Sequence, residues 1–210
     1  MRVLLVHGLG RTPASLARLG RTLQRAGHAQ EYLAYFAFAE SYEEIRGRVI
    51  TRLRKLAADP QPVALVGHSL GGLLLRHALV EVPELQVHQL IMLGTPNRPP
   101  RRAREAVRWL PFRLFARSCG EVLASPEFYG ELPAPAVPYT IIAGTGGHSL
   151  LAGPFGHEPH DGFVAVAETP IRDTDQPILL PVAHTFMMND PELQAQVLAL
   201  LRGSAPQHSD

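Results

Sequence analysis

The chain has 210 residues, 46% hydrophobic and 19% charged. That is an ordinary globular balance, enough for one domain or one domain with a large insertion. With 20 basic and 19 acidic side chains the net charge is +1, so no global field points to nucleic acid or to a strongly acidic partner. The single cysteine, Cys119, excludes an internal disulfide and a cysteine-based zinc module. The 19 prolines and 18 glycines are scattered, which excludes collagen-like and low-complexity chains.

At the N-terminus the apolar run Val3–Val6 stops at His7, too short for a secretory signal, and no stretch of 18 apolar residues follows. The expectation is a cytoplasmic protein whose chain begins directly with a strand over Val3–Val6. Leu16, Leu19 and Leu23 then recur at helical spacing, predicting a helix over Pro13–Gly27 with Gly27 as its stop. A weaker strand is predicted at Tyr32–Phe36. Ser41 and Glu44 form a capping-box pattern opening a helix that runs through Ala57. A strand at Val63–Val66 leads into a helix at Leu70–Glu81. Further strands are predicted at Gln89–Leu93, Tyr139–Ala143 and Ile178–Val182, and a last helix at Pro191–Leu201. Residues 204–210 read as a flexible tail.

Strand–helix alternation predicts an α/β fold: a doubly wound, mostly parallel sheet of about six strands with helices on both faces. The strands are short continuous apolar runs, as expected when both faces are covered. The alternation breaks between Thr95 and Pro138, where proline and arginine crowd together. This segment, about 96–137, reads as a lid-like insertion in a single domain spanning 1–203.

Chemistry concentrates at Gly67-His68-Ser69-Leu70-Gly71, a G-x-S-x-G sequence between a predicted strand and a predicted helix. A nucleophilic serine must stand at the apex of a sharp, strained strand-to-helix turn, and Gly67 and Gly71 leave room for it. A chain of this composition contains the pattern by chance about 0.06 times. His7-Gly8-Leu9-Gly10 follows the first strand, where a loop can supply a second oxyanion donor. The expected donors are the backbone N–H groups of Leu9 and Leu70, with His7 and Gly8 shaping the loop.

The nucleophile needs a base, and the base an orienting carboxylate, in chain order Ser, acid, His. His184 follows the last predicted strand at the sheet's C-terminal edge, whereas His208 lies in the tail. Asp161, in Asp161-Gly162-Phe163-Val164 after a glycine-rich loop, is the leading acid, with Glu158 and Asp175 as alternatives. Asp173 and Asp175 read as a solvated turn. His148, His157 and His160 lie near Glu158 on a Gly/Pro-rich loop without the i, i+4 spacing of a metal site, so no metal and no cofactor is expected.

These motifs together resemble the α/β-hydrolase superfamily, and within it the small lipase and esterase group that includes triacylglycerol lipases and PGAP1-like deacylases. The resemblance rests on V-H-G-L-G at Val6–Gly10, G-H-S-L-G-G at Gly67–Gly72, L-G-T-P-N at Leu93–Asn97, H-D-G-F-V at His160–Val164 and H-T-F-M at His184–Met187. It implies the superfamily sheet without its first two strands, a Ser69–His184–Asp161 triad, and His68 as packing behind the nucleophile. It further implies hydrolysis of a small-molecule ester or lipid. An acyl-thioesterase or acyltransferase on the same triad, or a non-catalytic binding protein of this fold, stays open. Oligomeric state is not legible.

The insertion carries its own pattern. Seven arginines against Glu105 fall between Arg98 and Arg117. Ala103, Ala106, Val107 and Leu110 fall at i, i+3, i+4, i+7, predicting one apolar helical stripe before a break at Pro111. Trp109, Phe112, Leu114 and Phe115 add apolar bulk. Arginines beside such a stripe suit an anionic lipid surface, giving the segment 98–117 a possible peripheral membrane contact.

Overall fold

The computed structural model describes residues 1–148 and 153–203, without the side chains of 112–115 and Arg117. The tail expected at 204–210, His208 included, and the apolar bulk expected from Phe112, Leu114 and Phe115 lie outside the described residues.

The described residues hold six strands: β1 (Arg2–Val6), β2 (Ala29–Leu33), β3 (Val63–His68), β4 (Val87–Leu93), β5 (Tyr139–Gly144) and β6 (Ile178–Leu180). They form a single sheet in the order β2-β1-β3-β4-β5-β6, parallel throughout. The helices are α1 (Ala17–Arg25), α2 (Tyr42–Ala57), α3 (Leu70–Leu79), α4 (Arg101–Ala106), α5 (Leu110–Ala124), α6 (Pro126–Glu131) and α7 (Pro191–Arg202).

Side chains alternate across the central strands and feed two separate cores. Leu4, Val6, Leu65, Leu90 and Met92 pack with Ile45, Val49 and Leu53 of α2 and Leu73 and Leu74 of α3. Val3, Leu5, Val66, Ile91 and Leu93 pack on the other face with Leu19 and Leu23 of α1 and Leu193 and Val197 of α7. Both faces are therefore covered, which explains the uninterrupted apolar runs. Each fully buried Leu, Ile or Val contributes about 1.5–3 kcal/mol from removal of its surface from water.

The capping box that opens α2 forms as the sequence predicts. Ser41 Oγ accepts from Glu44 N, and the Glu44 carboxylate accepts from Ser41 N at 2.7 Å. Other boundaries shift for identifiable reasons. The second strand lies at Ala29–Leu33, not Tyr32–Phe36. On this edge strand only Leu33 is buried, and the apolar signal further on comes from Tyr35. Its ring stacks on His7 at 4.1 Å, and its hydroxyl donates to His7 O at 2.6 Å. Pro13–Leu16 forms a 3-10 turn ahead of α1, and Gly27, at φ 84°, sits beyond the helix end. The insertion folds as α4, α5 and α6. Its expected single stripe is divided, because α4 ends at Ala106 and Leu110 begins α5, with Pro111 inside the first turn instead of at a break. Proline is tolerated there because a first-turn N–H has no helical partner.

With every strand parallel, the loops after β1, β3, β4, β5 and β6 emerge at one edge of the sheet. Close approach of α3 to β1 fixes this edge. A Cβ at Gly71 would fall on the Val6 carbonyl oxygen and lie 2.5 Å from His7 O, both rigid backbone atoms. Gly71→Ala should therefore push α3 off the sheet and destabilise the fold by about 2–3 kcal/mol, read as a lower denaturant midpoint. An unchanged midpoint would contradict this packing.

Candidate active site

Ser69 stands between β3 and α3 with φ 54° and ψ −122°, the only positive φ outside glycine among the described residues. Holding a serine there stores strain, and the glycines around it make the turn possible. A Cβ at Gly67 would lie 2.5 Å from Gly72 Cα, and one at Gly8 would lie 3.0 Å from Ser69 Cβ. The loop 7–10 thus passes directly over the serine. Leu70 begins α3, so its N–H has no partner within the helix and is free to face a ligand. Leu9 and Ser69 border the same cavity.

His184 follows β6, as its place in the sequence predicts, at the start of a 3-10 turn. Its Nδ1 donates to Asp161 Oδ2 at 2.6 Å, and its backbone N donates to Asp161 O at 2.9 Å. The other carboxylate oxygen, Oδ1, accepts from Phe163 N at 2.9 Å and Val164 N at 2.8 Å. Asp161 is buried and fully hydrogen-bonded, which holds it as a fixed negative partner. Donation from Nδ1 leaves Nε2 of the imidazole to accept a proton.

The alternative acids are engaged elsewhere. Glu158 pairs with Arg101, which holds its carboxyl below the usual range. Asp175 is not in a merely solvated turn. It accepts from Ile171 N, Arg172 N and the Tyr139 hydroxyl. Tyr139 begins β5, so Asp175 sits at the opposite edge of the sheet. Asp173 pairs with Arg98. His160 supports the acid loop: its Nδ1 accepts from Gly162 N, and its ring stacks on Phe155.

His7 and His68 lie beneath the site. His7 Nδ1 donates to Gly8 O at 3.0 Å. His68 Nε2 donates to His184 O at 3.0 Å, tying the elbow to the histidine loop. Burial pushes the His68 pKa well below 6.5, with a smaller effect from His184. His68 is therefore neutral when folded. Below pH 6.5 the unfolded chain takes up a proton that the folded chain refuses, so stability falls as pH drops below that value. His68→Gln should flatten the fall of unfolding free energy as pH drops below 6.5, by at most about 1.4 kcal/mol per pH unit. Equal slopes in the two proteins would place His68 in water.

Ser69, His68 and His184 border a cavity of about 490 Å³. Its walls are mostly apolar and come partly from the insertion: Pro96, Pro100, Ala103, Ala106, Trp109 and Leu123, facing Phe163 and Val164. Arg102, one of the insertion's seven arginines, also lines it, as does Arg11, which residue spacing did not single out because it belongs to no motif of its own. Glu168, set behind Asp161 as a carboxylate between the elbow and His184, is buried and accepts from Arg101 N at 3.0 Å, Arg101 Nε at 2.8 Å and Ala165 N at 2.9 Å. Arg101 also bridges to Glu158 and so clamps α4 to the acid loop. Arg98 and Arg101 are thus both engaged in ion pairs. Arg101→Gln should cost about 1–3 kcal/mol of stability by removing the cationic partner of the buried Glu168 carboxylate, measured by chemical denaturation. No loss would show the clamp to be idle.

With this geometry in place, comparison with known proteins is decisive for the family. The description "Alpha/beta hydrolase family" matches residues 3–207. The chain belongs to the alpha/beta hydrolase family. No curated protein sequence matches it. This hydrolase is similar to solved structures at low identity. One is the mature lipase BlEst2 of Bacillus licheniformis, with TM-score 0.77 and 15% identity over 95% of this chain and 91% of that one. Another is a metagenomic carboxyl esterase, with TM-score 0.69 and 14% identity over 96% and 75%. A third is phospholipase PlaB from Legionella pneumophila, with TM-score 0.72 and 16% identity over 98% of this chain and 59% of that one. At such identities the likeness speaks for the hydrolase fold. Among the described residues no helix is long and apolar enough to cross a membrane.

Proposed function

We propose that this alpha/beta hydrolase cleaves carboxylic esters, in the manner of lipases and esterases, through a Ser69–His184–Asp161 triad. The observation that carries the reading is a strained serine at a strand-to-helix elbow bordering the same cavity as a histidine whose Nδ1 is held at 2.6 Å by a buried aspartate. Ser69 Oγ attacks the acyl carbon while His184 Nε2 takes its proton. The Leu9 and Leu70 N–H groups stabilise the oxyanion. The imidazolium, held by Asp161, then protonates the departing alcohol, leaving an acyl-serine. Water, deprotonated by the same imidazole, releases the acid and restores Ser69. The chain's own groups complete the cycle without a cofactor.

A panel of 4-nitrophenyl esters of rising chain length tests this, with matched thioesters beside it. Turnover of the esters with a stoichiometric burst is expected. Preference for the thioesters would move the reading to an acyl-thioesterase, and no turnover of any substrate would overturn it.

The segment 96–137 forms part of the cavity wall, and we read it as a cap over the site. Its lipid-facing part is the turn between α4 and α5, where Trp109 and Leu110 are 67% and 61% exposed beside exposed Arg104 and Arg108. Trp109 is the only tryptophan, so its fluorescence should shift to shorter wavelength on anionic vesicles and revert as salt rises. An unchanged spectrum would leave a pocket cap alone.

A further inference from the structure

We propose that Arg11 is a specificity-determining residue that pairs with an anionic group on the substrate, so that anionic esters are the preferred substrates of the site; this rests on the ester-hydrolase reading. Arg11 is half-buried on the loop after β1, immediately beyond the Leu9 and Gly10 that pass over the nucleophile, and it borders the cavity shared by Ser69 and His184. Its guanidinium is held in place from the histidine loop. One Nη donates to Thr185 O at 3.2 Å, and the guanidinium carbon lies 5.7 Å from the centre of the Phe186 ring.

What it lacks is an anion. Among the described residues no carboxylate pairs with Arg11. No Asp or Glu is among the cavity's lining residues. The nearby Asp161 is already committed to His184 and two backbone N–H groups. Arg11 thus brings a positive charge with no carboxylate partner to the wall of a mostly apolar cavity, where the substrate can provide the acceptor. A carboxylate or phosphate on the ester would supply it through a charge-assisted bond. The positive field acts on the elbow as well, since Arg11 helps to depress the pKa of both His7 and His68.

The test compares kcat/KM within two pairs matched in length. One pair is mono-4-nitrophenyl adipate and its neutral methyl 4-nitrophenyl counterpart. The other is 1-butyrylglycerol 3-phosphate and 1-butyrylglycerol, followed by titration of released acid. In the wild-type protein at least one anionic member should be favoured on the order of tenfold or more, the effect of one hydrogen bond to a charged group. The pair that is discriminated identifies carboxylate or phosphate. Rising salt should shrink the preference. Arg11→Gln should reduce the anionic-to-neutral ratio by about tenfold, and Arg11→Lys should keep part of it, because charge survives and the fork does not. A ratio near one in both pairs, or a ratio that Arg11→Gln leaves unchanged, overturns the proposal while leaving ester hydrolysis in place. Absence of turnover on all four substrates overturns both readings.

Discussion

Ser69→Ala should leave a folded protein whose ester hydrolysis has fallen by about 10⁶ in kcat, since members of a triad act as a unit and losing one disables the others. The fold should survive because the elbow is shaped by what its neighbours lack. Gly8, Gly67 and Gly71 leave the room, whereas no side-chain hydrogen bond of Ser69 caps α3. Unfolding free energy should stay within about 0.5 kcal/mol of the wild type. Circular dichroism and steady-state kinetics on one preparation check both halves. Retention of more than about a tenth of wild-type kcat would remove Ser69 from the mechanism.

Asp161→Asn should cost on the order of 10⁴ in kcat, and the hydrogen bonds around the carboxylate explain why. Oδ1 accepts from Phe163 N and Val164 N, so an asparagine would keep its carbonyl oxygen there and turn its NH₂ toward His184. A donor facing Nδ1 forces that nitrogen to accept, which puts the imidazole proton on Nε2 and leaves no lone pair for the Ser69 proton. The amide also brings no charge to an imidazolium. Asp175→Asn supplies the comparison: Asp175 holds the 171–172 turn and the Tyr139 hydroxyl, so its loss should lower stability more than kcat. If Asp175→Asn proved the more damaging to kcat, the acid would have to be reassigned.

The architecture was legible because its determinants are local. Continuous apolar runs marked five of the six strands nearly in place, and the glycines around Ser69 marked a turn where backbone comes within contact of backbone. The edge strand slipped by three residues because Tyr35 is apolar for a different purpose, as a platform beneath His7. Periodicity cannot tell a side chain buried under a loop from one buried under a sheet. At the candidate site, Ser69, His184, Asp161, Leu9 and Leu70 come from loops and turns that a parallel sheet must gather at one edge, so chain order carried much of the information. Arg11 and the Arg101–Glu168–Glu158 clamp could not be read that way. Their partners are set by how distant segments dock, the loop after β1 on the histidine loop and α4 on the acid loop, each pairing residues more than 50 positions apart. The local count of arginines suggested one cationic face beside an apolar stripe. The structure divides it into ion pairs, a cavity wall and an exposed turn.

Covalent labelling with a fluorophosphonate tests the central claim most directly, because the reagent reacts with a serine only where base and oxyanion donors are assembled around it. Incubation followed by intact mass measurement and peptide mapping should give a single adduct, on the peptide carrying Ser69, and none in Ser69→Ala. An unlabelled protein, or an adduct that persists in Ser69→Ala, would contradict a nucleophile at the elbow.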